Sequence, residues 1–164
     1  DVGSSQIVSE LTAAFLAAQL EDAEAHQAER LALWERYREG LVPLAEEGFL
    51  AVPSPPPTVS HNAHIFFVVL KDRTARDSLK RHLAAEGIDA LTHYEPLHRS
   101  VAGLRHGRFD APLVETDRVT SCLLRLPLYP GLGDDQERVI DAVTRWCRQA
   151  GDTAASAQTA SEAS

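Results

Sequence analysis

Methionine is absent from the 164 residues, and the chain opens at Asp1 on a polar, glycine-containing stretch. On these two features the chain is expected to be a piece of a longer protein. No Lys or Arg precedes Arg30, so a signal peptide with its basic leader region is not expected here. Long apolar runs are missing too: a membrane span needs roughly 18–20 consecutive apolar residues, and the Ala-rich run from Leu11 to Leu20 is about half that. Cysteine is scarce. Cys122 and Cys147 stand alone in apolar contexts, without the paired spacing of a zinc or redox motif, and read as reduced core thiols of a cytoplasmic protein. Positive charge is also short. The 16 Lys and Arg against 24 Asp and Glu give a net charge of -8, which argues against a nucleic-acid binder. No carboxylate or cysteine shares a ligand-like spacing with His61, His64, His93 and His98, so no metal site is assigned.

What remains is a chain with 44% hydrophobic residues, enough for one domain with a real core. Ser9 followed by Glu10 reads as a helix N-cap. Leu11, Ala14, Phe15 and Ala18 form one helical stripe, and Leu31, Trp34, Tyr37 and Leu41 continue it, giving a long helix over 9–40 that is either continuous or bent near Asp22. Trp34 and Tyr37 are expected in the core. Pro43 and the run Pro55-Pro56-Pro57 place a loop over 44–60 with a short edge strand at 49–52. A small α/β domain begins at about residue 49.

His64 to Leu70 is the strongest strand. Thr74 with Asp77 suggests a capping box opening a helix that ends at Gly87. A helical turn within 97–105, a helix from Pro112 to about Cys122, a short strand over 124–128 and a last helix capped by Asp134 complete the pattern. From Ala150 only small and polar residues follow, so 149–164 is expected to be a disordered tail. The expected fold is α/β (α+β), a small mixed sheet covered by helices.

The stretch GIDALTHYEPLH, Gly87 to His98, reads as a buried strand feeding a site. Ile88, Ala90 and Leu91 are its apolar part, and Pro96 stops it. His93, Tyr94 and His98 are thereby delivered at a strand end, where imidazoles and a phenol can bind a ligand or serve as satisfied structural residues. Between Glu95 and Asp110 the chain carries Arg99, Arg105 and Arg108 with His98 and His106, and no acid. Such a patch gathers a small anion, such as a phosphate or sugar nucleotide, or forms a solvated Arg face.

Several segments in order, DVGSSQIVSEL with AAFLAAQLE, RLALWERYREGL, HNAHIFFVVL, GIDALTHYEPLH and LLRLPLYPGLGDDQERVIDAV, make the chain similar to the C-terminal part of the DegT/DnrJ/StrS family of pyridoxal-phosphate sugar aminotransferases. The Gly3-Ser4-Ser5 opening and the His93-Tyr94-Glu95-Pro96-Leu97-His98 stretch resemble its dTDP-4-amino-4,6-dideoxygalactose transaminases. The resemblance covers residues 1–148 and implies the small C-terminal domain of a fold-type I pyridoxal 5'-phosphate transferase. It implies a homodimer whose N-terminal cofactor-binding large domain is absent from this chain. The implied reaction moves an amino group from glutamate to a dTDP-linked 4-keto-6-deoxy sugar. It places Ser5 at the cofactor phosphate and His93, Tyr94 and His98 on the substrate side. Ser5 stands where many relatives have Asn, with Gln6 and Val8 further departures. The two lysines, Lys71 and Lys80, lack the apolar surroundings of a Schiff-base lysine, so the chain alone is expected to be inactive and no catalytic residue is assigned. A non-catalytic sugar-nucleotide binding or assembly module is the alternative. Outside its larger protein, the first helix is expected to expose Leu11 and Phe15.

Overall fold

The computed structural model describes the backbone of residues 7–162 and the side chains of residues 7–152. The first helix, α1 (Glu10–Glu21), starts where Ser9 Oγ accepts the Thr12 N–H at 3.2 Å. Asp22 interrupts it, and α2 (Ala23–Glu46) follows. The long helix is therefore two, and the second runs on past residue 40. It passes through Pro43 because that ring lies on the exposed side, while Leu41 and Leu44 on either side are buried in the core. Pro43 forfeits one backbone bond near the helix end, and two buried leucines, worth about 1.5–3 kcal/mol each, outweigh it. Gly48 then ends α2 with φ of 82°, its own N–H donating to Ala45 and that of Phe49 to Leu44, both at 3.0 Å.

Four short strands follow: β1 (Leu50–Ala51), β2 (Phe66–Leu70), β3 (Leu91–Thr92) and β4 (Leu123–Leu126). They form one sheet in the order β1-β2-β4-β3. Each of the three pairings is antiparallel, so the sheet is not mixed. The reason is topological: β4 inserts between β2 and β3, which run in the same direction but are not bonded to each other.

Asp72 caps α3 (Arg73–Ala85), its carboxylate accepting the Ala75 N–H at 2.8 Å. The cap is thus two residues before the expected Thr74. Gly87 closes α3 as expected, at φ of 75°, with the Ile88 N–H on Leu83 O at 2.9 Å. A 3-10 turn (Leu97–Arg99) and the short α4 (Val101–His106) lead to α5 (Val114–Cys122) and then β4. The last helix, α6, spans Asp135–Glu162. Its backbone stays helical past residue 148, where a disordered tail was expected; the alanines of that stretch favour helix.

In the β2–β4 register Phe66 faces Leu126 and Val68 faces Leu124, and all four join one core with Leu41 of α2, Leu79 and Leu83 of α3 and Val143 of α6. Trp34 and Tyr37 lie in it as expected, Tyr37 stacked on Phe66 at 5.0 Å. The alternate residues Phe67, Val69 and Arg125 are only half-buried on the opposite face. Gly40 lets α2 and α6 close, since a Cβ there would sit 2.9 Å from Ile140 Cγ2. Three polar links pin the loop after β4 and the first turn of α6 to α2: Tyr37 Oη to Pro127 O at 2.8 Å, Gly131 N–H to Glu29 Oε1 at 2.7 Å, and Gln136 Nε2 to Leu33 O at 2.5 Å.

By contrast α1 buries none of its residues. Leu11 is 82% and Phe15 70% exposed, as anticipated. Among the described residues no helix is long and apolar enough to cross a membrane.

Candidate functional site

The stretch from Gly87 onward does feed a cluster of ring-bearing side chains, by a shorter strand than its apolar pattern predicts. Ile88 and Ala90 are buried, but they precede β3, whose two residues Leu91 and Thr92 are both exposed. Leu91 pairs with Arg125 and Thr92 with Leu124, and β4 has four residues, followed by Pro127, which has no N–H to donate.

His93 and Tyr94 come directly after β3, their ring centroids 5.2 Å apart. Tyr94 is 77% exposed. His93 is half-buried, and its Nδ1 is sealed from solvent without a hydrogen-bond partner. An orphaned buried nitrogen is unfavourable by about 1–3 kcal/mol, and no described residue supplies His93 Nδ1 with a partner.

His98 sits in the 3-10 turn and is held from the other side of the loop. Its Nε2 lies 2.8 Å from Asp117 Oδ1, and the same oxygen is 2.7 Å from Arg99 Nε. The Phe109 ring meets the imidazole edge-on at 5.6 Å. The guanidinium of Arg99, with His98 beside it, holds the Asp117 carboxyl below the usual carboxylate range. Asp117 was not singled out from sequence. It lies 19 residues beyond His98 on α5, and no local spacing rule links the two. The one available signal was the absence of any acid in the basic stretch, which left its cations to be paired from elsewhere.

That pairing alters the basic patch. Arg99 is neutralised by Asp117, and Arg108 faces Asp110 at 3.6 Å with both side chains almost fully exposed. Arg105 has no ion pair among the described residues and is exposed. The patch is a weak, solvated one.

Two clefts flank this region. One of about 430 Å³ is bordered by His64, Asp89, Leu91, Arg125 and Tyr129; the other, about 400 Å³, by Leu97, His98, Arg108, Phe109 and Thr116. Of the three expected substrate-side residues, only His98 lies on a cleft; His93 and Tyr94 border neither. Ser5, the expected cofactor contact, lies outside the described residues. His61 packs on Trp34 at 4.5 Å, and its Nδ1 accepts the Ala63 N–H at 3.2 Å. Lys71 is exposed in the bend after β2, Lys80 is half-buried on α3, and neither borders a cleft.

Comparison with known proteins places these features in a family context. The pattern of the DegT/DnrJ/EryC1/StrS aminotransferase family matches residues 1–144. The chain is 35% identical over 150 residues to a dTDP-3-amino-3,4,6-trideoxy-alpha-D-glucose transaminase of Streptomyces venezuelae, and 31% identical over 146 residues to one of Micromonospora megalomicea subsp. nigra. These matches take up 90% and 86% of the chain but 38% of each relative, so the chain spans well under half their length. Among solved structures, the aminotransferase TlmJ from Streptoalloteichus hindustanus matches with a TM-score of 0.79 at 26% identity, over 92% of this chain and 40% of that one. DesV from S. venezuelae, solved in complex with a ketimine intermediate, matches with a TM-score of 0.76 at 32% identity, over 90% and 40%.

Proposed function

This chain belongs to the DegT/DnrJ/EryC1/StrS aminotransferase family, and we propose that it forms the substrate-side C-terminal portion of a nucleotide-sugar aminotransferase. In this reading the enzyme moves an amino group from glutamate to a dTDP-linked keto sugar. The observation that carries it is His93, whose buried Nδ1 has no partner, set beside the exposed phenol of Tyr94 at the end of β3. A ring nitrogen and a phenol hydroxyl side by side can bind the polar groups of a sugar nucleotide and orient the carbonyl carbon.

The position of the carbonyl is the substrate question. The Gly3-Ser4-Ser5 and His93 to His98 stretches resemble 4-amino transaminases of 4-keto-6-deoxy sugars, whereas the curated relatives are 3-amino transaminases. That likeness at 35% identity supports a 3-keto sugar over the 4-keto substrate expected from the short stretches.

Pyridoxal 5'-phosphate is the cofactor this family reading implies, and the described residues do not fit it. It requires a lysine set in a pocket, and neither Lys71 nor Lys80 borders a cleft. We therefore assign the cofactor to the remainder of the enzyme and expect this chain alone to be inactive. The bare apolar face of α1, with Leu11 and Phe15 exposed, supports burial against that remainder or a second subunit in a homodimer. A cytoplasmic location agrees with the two unpaired thiols.

The test is His93→Ala in the complete enzyme. The reading expects kcat/KM for the sugar nucleotide to fall by about tenfold or more while cofactor retention is unchanged. Equal loss of both would make His93 a structural residue and remove the observation on which this reading rests.

A further inference from the structure

The loop that carries the proposed substrate residues lacks an apolar anchor of its own. The 3-10 turn Leu97–Arg99 buries none of its residues, and Leu97 is 82% exposed. What ties it down is one carboxylate oxygen on α5, within hydrogen-bond distance of both His98 Nε2 and Arg99 Nε. Its base is firm, for α5 packs against α3 and β2. On the other side the imidazole meets the edge-on Phe109 ring. The ring is thus held between a carboxylate and an aromatic wall, and His98 Nδ1 makes no hydrogen bond among the described residues.

We propose that Asp117 is a positioning residue: it fixes His98 and Arg99 together so that His98 presents Nδ1 in one orientation to the cleft it borders with Leu97, Phe109 and Thr116. A carboxylate at 2.8 Å selects the imidazole form that carries hydrogen on Nε2. In the neutral ring Nδ1 is then a fixed acceptor, and in the protonated ring a fixed donor. Arg99 makes the arrangement robust, because a carboxyl bound to a guanidinium stays charged at neutral pH. The same contact spends the Arg99 charge on the loop, so Arg99 sets the loop's shape and does not steer anions. This inference rests on the aminotransferase reading for the identity of the ligand, but not for the geometry.

Two measurements test it on the intact protein. Nitrogen-correlated NMR of the imidazoles should show His98 in the Nε2–H form. Asp117→Asn should yield a mixture of tautomers. In steady-state assays the same variant should raise KM for the dTDP-linked keto sugar about tenfold, with KM for glutamate unchanged. Asp117→Glu should recover most of the loss, and Glu115→Gln, an exposed neighbour paired with Arg118, should change nothing. An unaltered His98 tautomer in Asp117→Asn would overturn the proposal, as would an equal rise in both KM values. If the intact enzyme transfers no amino group at all, the functional reading falls, and the NMR result alone decides whether Asp117 sets His98.

Discussion

Replacing Tyr37 by Phe removes one oxygen from the centre of the fold and leaves its shape intact. The ring is fully buried and stacked on Phe66, and the variant keeps that contact. Only the hydroxyl bond to Pro127 O, 2.8 Å long, is lost. Leaving that carbonyl without its donor should destabilise the protein by about 1–3 kcal/mol, and at roughly 2–4 °C per kcal/mol for a domain near this size the fall in Tm is readily measured. The pH dependence gives a sharper test. Burial, with a smaller contribution from Tyr129, pushes the Tyr37 phenol well above its usual value of 10.0. A raised folded pKa means that its stabilising contribution is complete below the unfolded pKa and is lost as pH rises from about 10 toward the folded value. Over that window the wild type should lose about 1.4 kcal/mol per pH unit through this group, and Tyr37→Phe should not. Urea unfolding from pH 8 to 11, followed by circular dichroism, reads both effects. Parallel pH profiles, or a difference below about 0.5 kcal/mol at pH 8, would refute the argument that this hydroxyl is a buried, fully engaged donor.

Burial pushes the Cys147 thiol up to about 11, so alkylation at pH 8 should proceed only as fast as the protein unfolds; labelling of native protein at the rate of a free thiol would contradict its place in the core. Hydrogen bonding to Arg148 holds the Glu47 carboxyl below its usual value. Its contribution is therefore present above the unfolded carboxylate pKa and lost as pH falls through the folded one, and Glu47→Gln should flatten the acid limb of a urea-midpoint profile below about pH 4.5. Asp72→Ala removes the cap of α3 and should lower stability by about 0.5–2 kcal/mol in thermal melts, whereas Thr74→Ala should leave it nearly unchanged.

How far the sequence could be read depended on the range of the interactions. Helix stripes and strand runs are local, and Leu31, Trp34, Tyr37 and Leu41 marked the core face of α2 through their spacing alone. Gly87 announced its turn because only a residue without Cβ sits comfortably at φ of 75°. Pro43 misled, since two buried leucines hold the helix through it. The antiparallel sheet was hidden because strand order depends on β4, which arrives some thirty residues after β3. At the site, His93 and Tyr94 were visible as neighbours in the chain. Asp117 was not, because its contact with His98 spans 19 positions and joins two elements.

The central claim is that these residues carry the substrate side of a pyridoxal-phosphate enzyme whose Schiff-base lysine lies elsewhere in the same protein. Borohydride reduction of the native protein from its source, followed by intact and peptide mass spectrometry, tests it most directly. The account predicts an intact mass well above the 17.9 kDa of this chain, with the reduced cofactor on a lysine outside residues 1–164. An adduct on Lys71 or Lys80, or a 17.9 kDa protein with no adduct, would contradict it.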